Sequence, residues 1–242
     1  MRYFTLPFYF LRIWVRDLFR YPTATLHTDT YYTEYWSTRR TARTDEVSPW
    51  EKARGDLIIT ELKRAGGAKT LGDIGSGDGA LLAYIARAVG ATATAYDFSP
   101  AALEEAGKRG VAVVSLDVRH ADERQRIARA DYVLMLEVLE HVADSEELLL
   151  VAYHASEKGV FFSVPNTGFF VHRLRLLLGR VPLQWAVHPG EHLRFWTLTD
   201  MRWWLKAQGY QNTQIMPYKG VPVLNKLLPG PFAAGILVAI RK

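Results

Sequence analysis

The chain has 242 residues, 49% of them hydrophobic and 23% charged, enough to bury the core of one α/β domain without disulfides. It has no cysteine, which excludes zinc-ribbon, iron–sulfur and thiol-nucleophile chemistry. The 30 Lys and Arg against 25 Asp and Glu leave a net charge of +5, a modest excess that suits anionic partners or plain solubility.

Residues 2–20 read as an amphipathic helix entered after Pro7. Arg12, Arg16 and Arg20 recur every four residues and share a face, flanked by Phe10, Leu11, Trp14, Val15 and Leu18. Such a helix either lies in a membrane interface or docks on the protein's own core. No segment is long and apolar enough to span a bilayer, and no small-residue cleavage site follows the aromatic stretch. The expected location is the cytoplasm, with contact at the inner face of the membrane. A loop over 21–49 carries Tyr31, Tyr32, Tyr35 and Trp36, a candidate cover for a ligand. A helix over Pro49–Ala65 stops at Gly66-Gly67. Residues 1–66 therefore form an extension and cover, and 67–242 the main domain.

From Thr70 short apolar runs alternate with helical segments. The strands expected are Thr70–Ile74, Ala91–Tyr96, Val111–Leu116, Tyr132–Leu136 and Val160–Val164. The helices between them are Ala80–Val89, Pro100–Arg109, Ala121–Ala128 and Ser145–Glu157. Strict β/α alternation means a parallel sheet with crossover helices. A helix over Thr199–Gln208 and strands over Gln211–Met216 and Gly235–Ile240 complete a Rossmann-like, seven-stranded, mostly parallel α/β sheet. Residues 167–196 break the alternation and read as a lid or acceptor-binding insertion.

Between the first strand and its helix lies Asp73-Ile-Gly75-Ser76-Gly77-Asp78-Gly79, whose glycines let the backbone turn sharply beside a ligand. Gly75, Gly77 and Ala80 alone would also suit a nicotinamide or flavin dinucleotide. Asp73 changes that balance, because a carboxylate repels a pyrophosphate at the helix N-terminus. S-adenosylmethionine has no phosphate and carries an ammonium and a sulfonium, both of which a carboxylate favours. Asp97, with Phe98, ends the second strand at the spacing of a ribose-binding acid. Asp117 ends the third, where it can accept from an adenine amino group while Val118 packs the ring. Each acid has a plain structural alternative as a turn or helix N-terminal residue. Three of them on successive strand ends, at the ligand-binding edge of an open sheet, favour a cofactor site.

Residues 70–164 resemble the core of class I S-adenosylmethionine-dependent methyltransferases, through the Asp73-to-Gly79 loop, Asp97, Asp117 and Glu137-Val-Leu-Glu140-His141-Val142. The last run is similar to ubiquinone-biosynthesis-type O-methyltransferases. Phe162-Ser-Val-Pro165-Asn166-Thr-Gly168 and the 173–182 segment resemble MetW-type methyltransferases. Gly72 departs from the family, which has a branched apolar residue before the motif acid, and a strand glycine weakens the strand. The resemblance implies the class I methyltransferase fold, S-adenosylmethionine as cofactor, and Glu137 lining the cofactor.

On the acceptor side, Glu137, Glu140 and His141 would share one face if helical. His141 has the intrinsic acidity of a general base. The trio could hold a divalent metal, but mixed Glu/His spacing is no metal signature, so none is expected. A second cluster, His188-Pro-Gly-Glu191-His192, should return to the same sheet edge, with His192 as a second catalytic candidate. The 169–185 stretch carries Arg173, Arg175 and Arg180 among Phe169, Phe170, Leu174 and Leu176 to Leu178, a second candidate membrane-surface element or a lid. The resulting expectation is O-methylation of a small or lipid-linked acceptor, such as an envelope sugar or quinone-like ring. A non-catalytic regulatory partner and a nicotinamide oxidoreductase are the alternatives. Nucleic acid is not expected as a partner, since no long basic stripe is present.

Overall fold

The computed structural model describes Val15, Leu18, Phe19 and residues 47–182 and 192–242. The aromatic segment with Tyr31, Tyr32, Tyr35 and Trp36, and His188 and Glu191 of the second cluster, lie outside these residues. So does the N-terminal helix, apart from its three helical positions Val15, Leu18 and Phe19.

Seven strands form one sheet: β1 Thr70–Ile74, β2 Thr92–Asp97, β3 Ala112–Ser115, β4 Ala130–Leu136, β5 Ser156–Pro165, β6 Thr213–Tyr218 and β7 Gly235–Arg241. Their order is β3-β2-β1-β4-β5-β7-β6. All pairs are parallel except those of β7, which runs antiparallel to β5 and β6. The helices are α1 Pro49–Arg64, α2 Ala80–Val89, α3 Pro100–Lys108, α4 Ser145–Ala155, α5 Phe170–Leu177, α6 Leu198–Ala207, α7 Leu224–Leu227 and α8 Pro229–Phe232. No helix among the described residues is long and apolar enough to cross a membrane.

The sheet is covered on both faces. In β4, buried along its whole length, Tyr132, Leu134 and Leu136 join a core with Ile58 and Leu62 of α1 and Leu82 and Ile85 of α2. Val133 and Met135 point the other way, into a core with Leu148 and Leu149 of α4 and Met201 and Trp204 of α6. This is the period of two that sends neighbouring side chains to opposite faces. Local signals set the helix starts. Ser48 and Glu51 cap α1 reciprocally, as Thr197 and Asp200 cap α6. The Ser99 hydroxyl accepts from the Ala102 amide at the start of α3.

Two local expectations fail. The segment 121–128 forms only a short 3-10 turn, Glu123–Arg126. It has no apolar stripe to bury, and Arg124 turns inward to pair with Asp144 at 2.7 Å and to donate to the Val118 carbonyl. Glu137, Glu140 and His141 do not share a helix face. The chain leaves β4 with Glu137 at φ 62°, then makes a 3-10 turn over Leu139–His141. The Glu137 amide donates to the Ser163 carbonyl, which extends the β4–β5 pairing past the strand end and prevents a helix from starting there.

Candidate functional site

The parallel strands deliver the motif residues to one edge. At the end of β1, Asp73 is 3% exposed and its Oδ1 has no hydrogen-bond partner among the described residues. Burial pushes its carboxyl up to about 7; Arg54 pulls it down and Asp97 pushes it further up. The next residues fold back on β2, with the amides of Gly75 and Ser76 both donating to the Tyr96 carbonyl. Gly75 sits at φ 67°, and a Cβ there would stand 2.6 Å from Val138 Cγ2. That contact ties the glycine loop to the segment after β4. The Ser76 hydroxyl is buried and without a partner among the described residues.

Asp97 is held by the loop it faces. Its Oδ2 accepts from the Gly77 amide at 2.8 Å and its Oδ1 from the Ser99 amide at 2.9 Å. Burial nonetheless raises its pKa, outweighing those bonds. It braces the start of α3, and it keeps lone pairs for a further donor. Asp117 is bound differently. Arg119 donates to it through its amide, Nε and Nη2, at 2.6 to 3.0 Å. Burial pushes this carboxyl up, but Arg119 outweighs it and holds it below the usual range. The same guanidinium lies 4.8 Å over the Phe98 ring, so Phe98, Asp117 and Arg119 form one wall. Val118 is fixed from behind, its carbonyl accepting from buried Arg124.

Glu137 occupies the centre of the edge in a backbone conformation that few non-glycine residues adopt. Ser163 and Tyr218 donate to its Oε1 at 2.7 and 3.1 Å, and Arg54 lies 3.2 Å away. Burial, then Glu137, raises the pKa of Tyr218, which keeps its proton. Arg54, Ser163 and Tyr218 come from α1, β5 and β6. Nothing in their sequence neighbourhoods marks them, since their role exists only once the sheet is assembled.

The acceptor-side candidates divide. Glu140 is 1% exposed, and neither carboxylate oxygen has a hydrogen-bond partner among the described residues. Burial and then Glu137 raise its pKa well above the ordinary value, against a weaker pull from Arg54. His192 returns to it as expected: the Glu140 carbonyl accepts the amides of Leu193 and Arg194 at 2.7 and 3.1 Å. The rings of His141 and His192 meet edge to face, 4.7 Å between centroids. Burial, then His141, pushes His192 down to about 3, so it stays neutral across the ordinary pH range.

Of the 169–185 stretch, the described residues run to Pro182. Its arginines are spent on backbone carbonyls: Arg173 on Gly168, buried Arg175 on Val181 and Leu18, and Arg180 on Phe19. Beside exposed Arg173, α5 and its exit leave a run of apolar side chains in solvent, with Leu177 82% exposed and Leu176, Leu178 and Val181 also exposed. A depression of about 440 Å³, lined by Tyr153, His154, Tyr210 and Lys242 among others, lies at the opposite edge of the sheet and contains none of the motif acids.

A family model described as a methyltransferase domain matches residues 19–215. No curated protein matches the chain in sequence. Among similar solved structures is the methyltransferase domain of bacterial CtHen1, 19% identical over 78% of this chain and 97% of that one, with a TM-score of 0.57. Another is a SAM-dependent methyltransferase from Thermotoga maritima, a possible histamine N-methyltransferase, 16% identical over 89% of this chain and 100% of that one, at 0.56. A third is magnesium protoporphyrin IX methyltransferase from Synechocystis PCC 6803 with bound SAH, 14% identical over 96% and 95%, at 0.53. At these identities the structural likeness establishes a shared fold.

Proposed function

The chain belongs to the methyltransferase domain family, with S-adenosylmethionine as its cofactor, and we propose that it methylates an oxygen of a small or lipid-linked acceptor. The observation that carries the cofactor site is Asp73, a buried carboxylate with an unpartnered oxygen behind a glycine loop. Left alone it is costly, and a cationic ligand group relieves it. A dinucleotide phosphate would make it worse, which argues against a nicotinamide cofactor.

The bound cofactor supplies a methyl group on a sulfonium, an electrophile with a good leaving group. Asp73 would hold its ammonium, and the Ser76 hydroxyl, without a partner among the described residues, lies in the same loop. Asp97, fixed by the Gly77 and Ser99 amides, would accept from the ribose hydroxyls. Asp117 and Val118 would receive the adenine, the acid sharing its lone pairs with Arg119. Glu137 would line the pocket, held rigid by Arg54, Ser163 and Tyr218.

Transfer to a neutral hydroxyl requires that its proton leave. His141 is the group placed to ease that loss, being partly exposed beside Glu140 and His192. His192 itself is too weakly basic to carry the proton. The exposed leucines of α5 and its exit support an apolar or lipid-linked acceptor, approached from a membrane surface or beneath a lid. The resemblance of the 137–142 run to quinone-biosynthesis enzymes favours a quinone-like ring, and the apolar surface leaves a lipid-linked envelope sugar as the other candidate.

The test is calorimetric titration with S-adenosylhomocysteine, with NADH as comparison, followed by transfer of labelled methyl to quinol-like and polyprenyl-linked sugar acceptors. Binding of the homocysteine product alone, weakened at least tenfold by Asp97→Ala, is expected, with label in an O-methyl group. NADH binding would overturn the cofactor assignment. Label found only on nitrogen would overturn the acceptor.

A further inference from the structure

The connection between β6 and β7, residues 219–234, is closed on itself by polar bonds. Gly220 sits at φ 92°, where a Cβ would overlap the Phe232 carbonyl, and the Val221 amide donates to that carbonyl at 3.0 Å. The Asn225 side chain donates to the Lys219 carbonyl at 2.9 Å. Buried Asn166, just past β5, donates to the carbonyls of Gly230 and Ala233 at 2.9 and 2.6 Å. Backbone bonds therefore hold this connection, and its apolar side chains are left over. Neither α7 nor α8 buries a residue. Val223, Leu224, Leu227 and Leu228 all stand in solvent, Leu227 by 69% and Leu228 by 57%. Val223 does so at φ 69°, a conformation that β-branched residues rarely adopt. A strained, locked backbone that displays apolar side chains is the mark of a contact surface.

Charge identifies what that surface meets. No Asp or Glu follows Asp200, and none lies between Glu157 and Glu191, so α5, β6, α7, α8 and β7 carry no carboxylate side chain. Lys226 stands exposed among the leucines of α7. The Phe170 ring of α5 meets the Phe232 ring of α8, 5.8 Å between centroids, which brings a second acid-free element against the first. Apolar side chains among basic ones, with no acid to be repelled, complement a bilayer with anionic headgroups. We propose that residues 219–232 dock on an anionic lipid surface. Val223, Leu224, Leu227 and Leu228 enter the interface, and Lys226 meets the headgroups.

The surface hangs from the cofactor edge of the sheet. Tyr218, the residue before it, ends β6 and donates to Glu137 at 3.1 Å, while Asn166 ties it to the end of β5. Docking here sets that edge beside the bilayer, so a lipid-linked acceptor reaches the methyl group without leaving the membrane. This catalytic consequence rests on the methyl-transfer reading, whereas the docking itself does not.

The experiment measures co-sedimentation of the full-length protein with vesicles of phosphatidylcholine alone and of phosphatidylcholine mixed with phosphatidylglycerol. Wild type should bind the mixed vesicles several-fold more tightly than the neutral ones. Leu227→Glu with Leu228→Glu should weaken binding to the mixed vesicles about tenfold or more. Lys226→Gln should reduce the preference for the mixed vesicles and leave binding to neutral ones unchanged. Leu150→Glu, at an exposed leucine of α4 beside the depression on the opposite sheet edge, should bind as wild type does. The melting temperature of the double variant should match wild type, because neither leucine is buried. Wild type left in the supernatant, or sedimentation indifferent to the double substitution, overturns the proposal. A dimer, seen by light scattering, that the double substitution dissociates would seat a second copy on the leucines and also overturns it. So does a fall in melting temperature, which would seat another part of this chain there. S-adenosylhomocysteine binding by wild type reports on the methyl-transfer reading separately. Docking without it keeps the surface and removes only the catalytic consequence.

Discussion

Asp73 bears the sharpest electrostatic conflict on the cofactor side. Its carboxyl is raised from 3.8 to about 7, so the folded chain holds a proton that the unfolded chain releases. The stability this proton supports is fully present below about pH 4 and is lost as pH rises through about 7. A shift of this size corresponds to about 4 kcal/mol, to order of magnitude. Asp97, also raised by burial, acts in the same direction. Asp73→Asn should therefore stabilise the cofactor-free protein at pH 8 by a few kcal/mol and have little effect at pH 4, as measured by urea unfolding at both values. The same substitution should cost at least tenfold in S-adenosylhomocysteine affinity. A variant no more stable than wild type at pH 8 would sink the argument that the site is built for a cation. Both the residue and its spacing were readable in the sequence. The burial that gives it meaning was not, because it exists only once elements far apart in the chain are assembled, as the influence of Arg54 from α1 shows. Gly72 is a converse case, a departure that the sequence reads as weakness. A Cβ there would lie 3.4 Å from the Tyr96 ring, and the Tyr96 hydroxyl accepts from the Ala128 amide. A Cβ alone would be in ordinary contact there, and a branched side chain would press on that tyrosine. Gly72→Val should cost about 1–3 kcal/mol by overpacking, and a stabilised variant in the same unfolding measurement would refute this.

At the scale of elements, the loop after β1 and the turn after β4 act as one unit. Gly75 needs both its positive φ and its missing Cβ, which Val138 would otherwise strike at 2.6 Å. Gly75→Ala should cost about 1–2 kcal/mol for the left-handed backbone and about 1–3 kcal/mol more for the overlap. Adding Val138→Ala relieves only the overlap, so the double-mutant cycle should show a favourable coupling of about 1–2 kcal/mol. Additive costs would mean that the two segments do not touch. Elements with a clear apolar period were legible to within a residue or two, as β1 and α2 show. The failures share a cause. Residues 121–128 and the 137–141 run are shaped by side chains that reach other elements, Arg124 to Asp144 and Glu137 to Ser163 and Tyr218. Neither bond leaves a periodic trace in the sequence. The return of His192 to the sheet edge was foreseeable from chain order, whereas its meeting with Glu140 depends on two backbone bonds that no side-chain pattern encodes.

For the whole molecule, alternation of strands and helices dictated the sheet, and the antiparallel β7 followed from a last strand entered without a crossover helix on the scale of α4. The exposed surface tells a different story from composition. The net charge is +5, and Arg173, Arg175 and Arg180 keep their charge while bonded to carbonyls, but Arg175 is buried, so the charge this segment presents to solvent is that of Arg173 and Arg180. The apolar contribution is larger. Leu176, Leu177, Leu178 and Val181 stand exposed next to Phe19, itself 59% exposed, whose carbonyl Arg180 holds at 2.9 Å. Burying one such side chain is worth about 1.5–3 kcal/mol. Two leucines withdrawn from a bilayer interface should thus lower partitioning well over tenfold. If this surface meets a membrane, Leu176→Glu with Leu177→Glu should abolish co-sedimentation with vesicles containing anionic lipid. The melting temperature should barely move, because neither side chain is buried in the fold. Raising salt should weaken the wild-type interaction only slightly, in contrast to binding through a basic patch. If wild type ignores the vesicles but the double variant loses turnover with an apolar acceptor, the leucines close over that acceptor as a lid. If neither sedimentation nor turnover changes, the apolar acceptor itself is wrong, and the search moves to a polar one.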